Sequence, residues 1–162
     1  MEQLDLMPDA ERTPPLQSLA VTIPAITLWQ PYACLIEIGA KPWETRAFAC
    51  PKRLLGKRVA IHAAARKIRQ TDFDDETFEA ISDAFGFCNW NHKLPLGVVV
   101  CTAVIAESCR TSERLERDHF GDYSPGRFMW RLEDVRKIEP HIAAKGKQMI
   151  GWPWALSSNL KL

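Results

Sequence analysis

Residues 28–46, LWQPYACLIEIGAKPWETR, join a short apolar helical pattern to a charged segment. Apolar side chains recur at three- and four-residue spacing across residues 32–36, which places them on one face of a helix. Pro31 suits the first helical position, and Gly39 is a residue at which helices often end. The sequence therefore predicts a short buried helix followed directly by GAKPWETR at residues 39–46.

The segment after this helix places Lys41, Glu44 and Arg46 around Trp43. Arginine offers a planar fork that matches phosphate, whereas lysine acts as a mobile point charge. A carboxylate between two cations stays ionised, which favours an orienting role for Glu44 over general acid catalysis. Two interpretations stay open: a site for an anionic ligand, or a turn in which Arg46 pairs with Glu44 and Trp43 only packs.

Length and composition indicate one globular domain. The chain has 162 residues with 46% hydrophobic and 25% charged residues, and no apolar run approaches the ~20 residues that cross a bilayer. Residues 1–20 are acidic, contain three prolines and lack the features of a signal peptide. We therefore expect a flexible tail at 1–20, a single domain at 21–162 and a cytoplasmic protein without membrane contact.

Cysteine and histidine show no pattern typical of a metal site. The five cysteines are odd in number and form no C-x-x-C pair, and the four histidines are scattered. We expect reduced thiols, no metal and no organic cofactor.

Charge is strongly segregated along the chain. Nine basic residues and one acid lie within 41–69, and six acids without a base lie within 72–83. A basic block of this kind is typical of a phosphate-binding face. The alternative is a solvated surface whose cations pair with the acidic stretch.

Periodicity predicts short strands and few helices, which favours a small β-barrel with helices around it. The predicted strands are residues 21–28, 58–63, 95–109 and 126–138, and 143–156 holds a last strand or a short helix. The further predicted helices are 64–70 and 74–85, the latter capped by Asp74 or Asp75.

The segment 28–46, together with GKRVAIHAA at 56–64, resembles the ASCH domain of the PUA-like superfamily. The family pattern G-x-K-x-x-E-x-R is matched by four residues that share one short segment: Gly39, Lys41, Glu44 and Arg46. Gln30-Pro31, Gly97, SPGRFMW at 124–130 and KGKQMIGW at 145–152 also fit, so the resemblance spans about 26–156.

The resemblance implies an α+β, PUA-like β-barrel (pseudobarrel) flanked by short helices, with a cleft beside the motif helix. Family members are linked to RNA and other nucleic acids, so RNA or a single-stranded nucleic acid is the expected partner. The residues predicted to line this cleft and bind the ligand are Lys41, Arg46, Trp43, Trp29, Gln30, Lys145, Ser124 and Arg127.

Two alternatives remain. The same cleft could belong to a ribonuclease or a modified-nucleoside hydrolase, with Lys41 and Glu44 catalytic, or the basic block could dock an acidic protein. The bacterial acetylcytidine amidohydrolases, which resemble this domain, carry a nucleophilic threonine three residues after the lysine. Glu44 occupies that position here, and Thr45 is one residue further, where an extended chain turns it to the opposite face. His62, on a predicted strand, is interpreted as a hydrogen-bonded structural residue.

Overall fold

The computed structural model describes residues 21–156, so the predicted tail at 1–20 lies outside the described residues. Within that range, the chain forms β1 (Thr22–Leu28), α1 (Tyr32–Glu37), β2 (Trp43–Arg46), β3 (Arg58–Ala63), α2 (Asp75–Phe85), α3 (Trp90–Lys93), β4 (Val98–Arg110), β5 (Phe128–Ala143) and β6 (Trp152–Ala155). Short 3-10 turns occupy Gln70–Asp72 and Thr111–Glu113. None of the helices in residues 21–156 has the length and apolar character that a membrane span requires.

All six strands belong to one mixed sheet in the order β2-β5-β4-β3-β1-β6. The β1–β3 pair is parallel and the other pairs are antiparallel. This arrangement confirms the predicted α+β class.

The predicted barrel closure is wrong, because β2 and β6 remain edge strands among the described residues. The guanidinium of Arg46 on β2 reaches the carbonyl of Thr27 on β1 at 3.4 Å. A side chain therefore links these two strands, which share no backbone pairing in the described sheet.

Strand β4 forms the centre of the core. Its consecutive residues Val99–Ala103 are buried, as expected for a β-branched run that is covered on both faces. Helix α1 lies over the sheet and ends at Gly39, whose φ of 80° suits glycine. On its outer side, Leu35 packs with Ile81 and Trp90 in a second apolar cluster.

The helix predicted at 64–70 is wrong. The amide of Ala64 donates to the carbonyl of Leu28 at 2.8 Å, which extends the β1–β3 pairing past the strand ends. The helix predicted at 74–85 is confirmed as α2. The Asp74 carboxylate accepts from the amide of Thr77 at 2.7 Å and caps its first turn.

Candidate functional site

The charges of the motif form a buried cluster on β2. Lys41 and Glu44 are only 2% and 5% exposed. The Lys41 ammonium donates to the carbonyl of Trp43 at 2.5 Å and lies 3.6 Å from Glu44 Oε2. Strand alternation points Glu44 and Arg46 to the same side, where Arg46 Nε lies 2.8 Å from Glu44 Oε1. The Glu44 carboxylate thus lies between two cations, as the orienting role requires.

A smaller cavity of about 200 Å³ opens beside Lys41 and Glu44. It is lined by Tyr32, Lys41, Glu44, Thr45, Phe120, Asp122 and Arg127. Burial raises the pKa of Tyr32, and the nearby carboxylates of Glu44 and Asp72 raise it further. The phenol therefore stays protonated at neutral pH and can donate a hydrogen bond inside this cavity.

A larger cavity of about 550 Å³ lies at the gap between β1 and β2. It is lined by Thr27, Trp29, Arg46, His62, Ala64, Ala65, Ala144, Lys145, Gly146, Lys147 and Gln148. This volume falls within the usual range for small-ligand sites. Because the Arg46–Glu44 ion pair joins a residue of each cavity, the two cavities are neighbours.

Cations and one exposed aromatic ring surround the larger cavity. Lys145 and Lys147 are exposed, and within residues 21–156 neither forms an ion pair. Thr27 donates from its hydroxyl to the Lys147 carbonyl at 3.0 Å, which ties this basic loop to β1. Trp29 is 58% exposed, an unusual state for a tryptophan in a folded domain.

The exposed Trp29 ring is supported from one side. The guanidinium carbon of Arg66 lies 4.4 Å from the ring centroid. Asp72 holds that guanidinium through two hydrogen bonds of 2.8 and 2.7 Å. One face of the indole is thereby covered by a fixed cation.

His62 lies in the wall of the larger cavity as a buried, neutral residue. Its Nε2 lies 2.9 Å from the carbonyl of Ala144, a contact that requires a proton on Nε2. Its Nδ1 has no hydrogen-bond partner among the described residues. Burial lowers the pKa of His62, and the hydrogen bond to Ala144 offsets part of this effect. His62 is thus the structural residue that was expected and a cavity residue as well.

The stability of the protein should depend on pH through His62. Because its folded pKa is lowered, the unfolded chain takes up this proton at a higher pH than the folded chain. The free energy of unfolding should therefore fall as the pH drops below about 6.5, until the folded pKa is passed. Urea unfolding of the wild type and of His62→Gln at about pH 7.5 and about pH 5 measures this effect. An equal loss of stability in both proteins would contradict the assignment.

The predicted site residues separate into three groups. Arg46, Trp29 and Lys145 line the larger cavity, and Lys41, Glu44 and Arg127 line the smaller one. Trp43, Gln30 and Ser124 line neither. Their roles in ligand binding stay predictions.

The structure explains why three of these residues line neither cavity. Trp43 alternates with Glu44 on β2 and is only 7% exposed. Buried Gln30 donates to the Pro95 carbonyl at 2.8 Å and accepts from the Cys34 amide, so it supports the start of α1. The Ser124 hydroxyl donates to Asp122 Oδ1 at 2.6 Å within a turn.

The basic block is not one uninterrupted cationic face. Three of its arginines form ion pairs, Arg46 with Glu44, Arg58 with Asp134 and Arg66 with Asp72. The last of these joins the basic block to the acidic stretch, as the second interpretation of the charge pattern proposed. No group of three or more histidine, cysteine, aspartate or glutamate residues in 21–156 is placed to hold a metal ion.

Sequence analysis missed several residues of the larger cavity. Thr27 and Gly146 line it, and Arg66 with Asp72 supports its aromatic wall. Lys147, on the same basic loop as the predicted Lys145, lines it as well. No local pattern indicates that Gly146 packs on His62 or that Arg66 packs on Trp29, because these contacts depend on distant chain segments.

Comparison with known proteins shows which solved structures share the fold of this chain. Neither a family model nor a curated protein matches the sequence. Among solved structures, the chain superposes on an ASCH protein with a TM-score of 0.50 at 17% identity, over 83% of this chain and 87% of that chain. The chain thus shares the fold of this ASCH protein, which confirms at the level of fold the resemblance seen in the sequence.

The solved structure is a serine-to-alanine variant of the ASCH protein of Zymomonas mobilis. Another structure of that protein matches with a TM-score of 0.47 at 19% identity, over 74% of this chain and 71% of that chain. A tyrosine-to-phenylalanine variant matches with a TM-score of 0.48 at 17% identity, over 83% of this chain and 89% of that chain. At such identities the likeness concerns the fold alone.

Proposed function

We propose that this protein binds single-stranded RNA, or another unpaired nucleic-acid strand, by taking a base into the larger cavity. The observation that carries the proposal is the combination around this cavity of an exposed Trp29 ring and unpaired Lys145 and Lys147. Aromatic rings that stack unpaired bases beside cations that follow the phosphates are the usual parts of a single-strand site. The cavity is also of a size that suits a base with its sugar.

Trp29, Lys145 and Arg46 would contact different parts of the ligand. Trp29 would stack on the base, which contributes ~1–3 kcal/mol per base and depends little on salt. Lys145 would contact phosphate, so its contribution weakens as salt rises. Arg46 is held by Glu44 at 2.8 Å and would contribute hydrogen bonds from the fixed position between the two cavities.

A titration of end-labelled single-stranded RNA tests this proposal. We expect Trp29→Ala to weaken binding about tenfold with an unchanged salt slope. Lys145→Ala should weaken binding about threefold and reduce the salt slope by about one unit. Exposed Lys57 lies before β3, at the end remote from His62, and Lys57→Ala is the matched control that should bind like the wild type. No binding by the wild type at low salt, or equal losses in all three variants, would contradict the proposal. Single-stranded DNA of the same sequence in parallel tubes separates RNA from DNA preference.

A second candidate function is hydrolysis of the bound RNA or of a modified nucleoside. It is favoured by the smaller cavity, where the Glu44 carboxylate, the Lys41 ammonium and the protonated Tyr32 phenol meet next to the proposed base site. A lysine or a carboxylate at such a place can transfer protons without a metal. A denaturing gel run from the same tubes tests the first of these reactions, since shortened RNA in the wild-type lanes would identify a ribonuclease. Chromatography of modified nucleosides incubated with the wild type and with Lys41→Ala tests the second.

A further inference from the structure

We infer that Arg66 and Asp72 act as a positioning pair that fixes the Trp29 ring for base stacking. The inference rests on the proposed function and adds to it how the aromatic wall is held. Neither residue belongs to the motif at 39–46, and neither lines the larger cavity.

The contacts form a chain from the backbone to the indole. The Arg69 amide donates to Asp72 Oδ2 at 3.0 Å, which fixes the carboxylate on the short 3-10 turn. This carboxylate accepts hydrogen bonds from both terminal nitrogens of Arg66, at 2.8 and 2.7 Å. Two such bonds fix the plane of the guanidinium. The guanidinium in turn lies over the Trp29 ring at 4.4 Å.

An exposed indole needs such a support in order to serve as a stacking platform. Trp29 is 58% exposed and follows β1 directly, so few core contacts restrict its rotamer. Because Arg66 covers one face, only the opposite face remains for a base. The pair therefore suits an unpaired base that stacks on one side of the ring, and it removes part of the ordering that binding would otherwise require.

The charges of the pair argue against a direct phosphate contact by Arg66. The hydrogen bonds from Arg66, together with the Arg69 amide, lower the pKa of Asp72 to about 2. The pair therefore stays ionised and neutral overall at physiological pH. A phosphate would have to compete with a carboxylate that already occupies the fork of the guanidinium.

The positioning role and a phosphate-contact role of Arg66 predict opposite changes in RNA affinity for Asp72→Asn. Asp72→Asn keeps a side-chain oxygen for the Arg69 amide but removes the charge and one acceptor of the fork. If Arg66 positions Trp29, this change weakens binding. If Arg66 contacts phosphate, the change releases a cation and strengthens binding. Arg66→Lys keeps the charge but loses the planar fork, so it weakens binding under either role. Only under the positioning role does this effect disappear in a Trp29→Ala background.

The test is a salt series of affinities for a short fluorescent single-stranded RNA, measured by anisotropy with the full chain. We expect Asp72→Asn and Arg66→Lys each to weaken binding about threefold to fivefold with an unchanged salt slope. In a Trp29→Ala background, Asp72→Asn should have no further effect, because the positioned ring is absent. Thermal unfolding of each variant, followed by circular dichroism, should show the wild-type transition. Because the two variants change different residues of the pair, one of them still tests the inference if the other folds poorly.

The outcomes distinguish this inference from the proposed function. If the wild type binds no RNA, the proposed function fails and the inference fails with it. If the wild type binds and Trp29→Ala weakens binding, but Asp72→Asn leaves the affinity unchanged or raises it, the inference alone is overturned. An Asp72→Asn effect that persists in the Trp29→Ala background would also overturn it.

Discussion

Replacement of Glu44 by alanine is expected to lower the free energy of unfolding by about 3–5 kcal/mol. The substitution leaves the Lys41 ammonium, which is only 2% exposed, without a counter-charge among the described residues. The Trp43 carbonyl and the Tyr32 ring, whose centroid lies 5.7 Å away, are then its remaining partners. It also removes the carboxylate that holds Arg46 at 2.8 Å. A buried cation without its counter-charge is far less stable than the pair, whereas exposed pairs contribute little.

Urea unfolding followed by tryptophan fluorescence measures this effect. Glu133→Ala is the matched control, because Glu133 pairs with Arg131 through side chains that are 46% and 42% exposed. Its loss should stay under about 1 kcal/mol. The double variant Lys41→Met with Glu44→Leu should recover part of the stability, since both buried charges are then removed. Wild-type stability in Glu44→Ala would show that the cluster does not stabilise the fold.

Replacement of Gly146 by alanine is expected to weaken RNA binding about tenfold, because the displaced loop carries Lys145 and Lys147, each of which contributes about threefold. A Cβ at this position would lie 2.2 Å from His62 Cε1 and 2.5 Å from His62 Nδ1. The imidazole cannot retreat without loss of its hydrogen bond to Ala144 and its edge contact with Trp152. The loop at 145–148 would therefore move, and it carries the cations of the larger cavity.

The same RNA titration measures the affinity, and thermal unfolding measures the stability. Met149→Ala is the control, because Met149 directly follows the loop, is 57% exposed and lines neither cavity. We expect it to bind within about twofold of the wild type, as most surface substitutions do. Equal affinities for Gly146→Ala and the wild type would show that the position of the loop does not matter for the ligand.

Local sequence patterns predicted much of the secondary structure. The strand at 58–63 matches β3, and the helix at 74–85 matches α2 with its Asp74 cap. These elements follow from periodicity and capping, which depend on residues a few positions apart. The false helix at 64–70 shows the limit of this approach. Its first residue, Ala64, donates its amide to the Leu28 carbonyl just past the end of β3, a contact between distant chain segments that a local pattern does not indicate.

The sequence placed the motif after a short helix but left the roles of its charges open. Lys41 and Arg46 lie close in the chain, yet they line different cavities. Because side chains alternate along β2, Trp43 lines neither cavity, although it lies between Lys41 and Arg46 in the sequence. The direction of each side chain was undetermined until the pairing of β2 with β5 was known.

The sequence by itself determined the α+β class, the ASCH-like motif and most of the element positions, because each of these depends on short-range patterns. Tertiary structure alone decided that β2 and β6 stay edge strands of the described sheet, and that a cavity forms between β1 and β2. It also decided which cations are already paired, since Arg58 meets Asp134 and Arg66 meets Trp29 across long sequence separations. Charge neutralisation and ring support are properties of spatial neighbours, which a linear pattern of residue types does not specify.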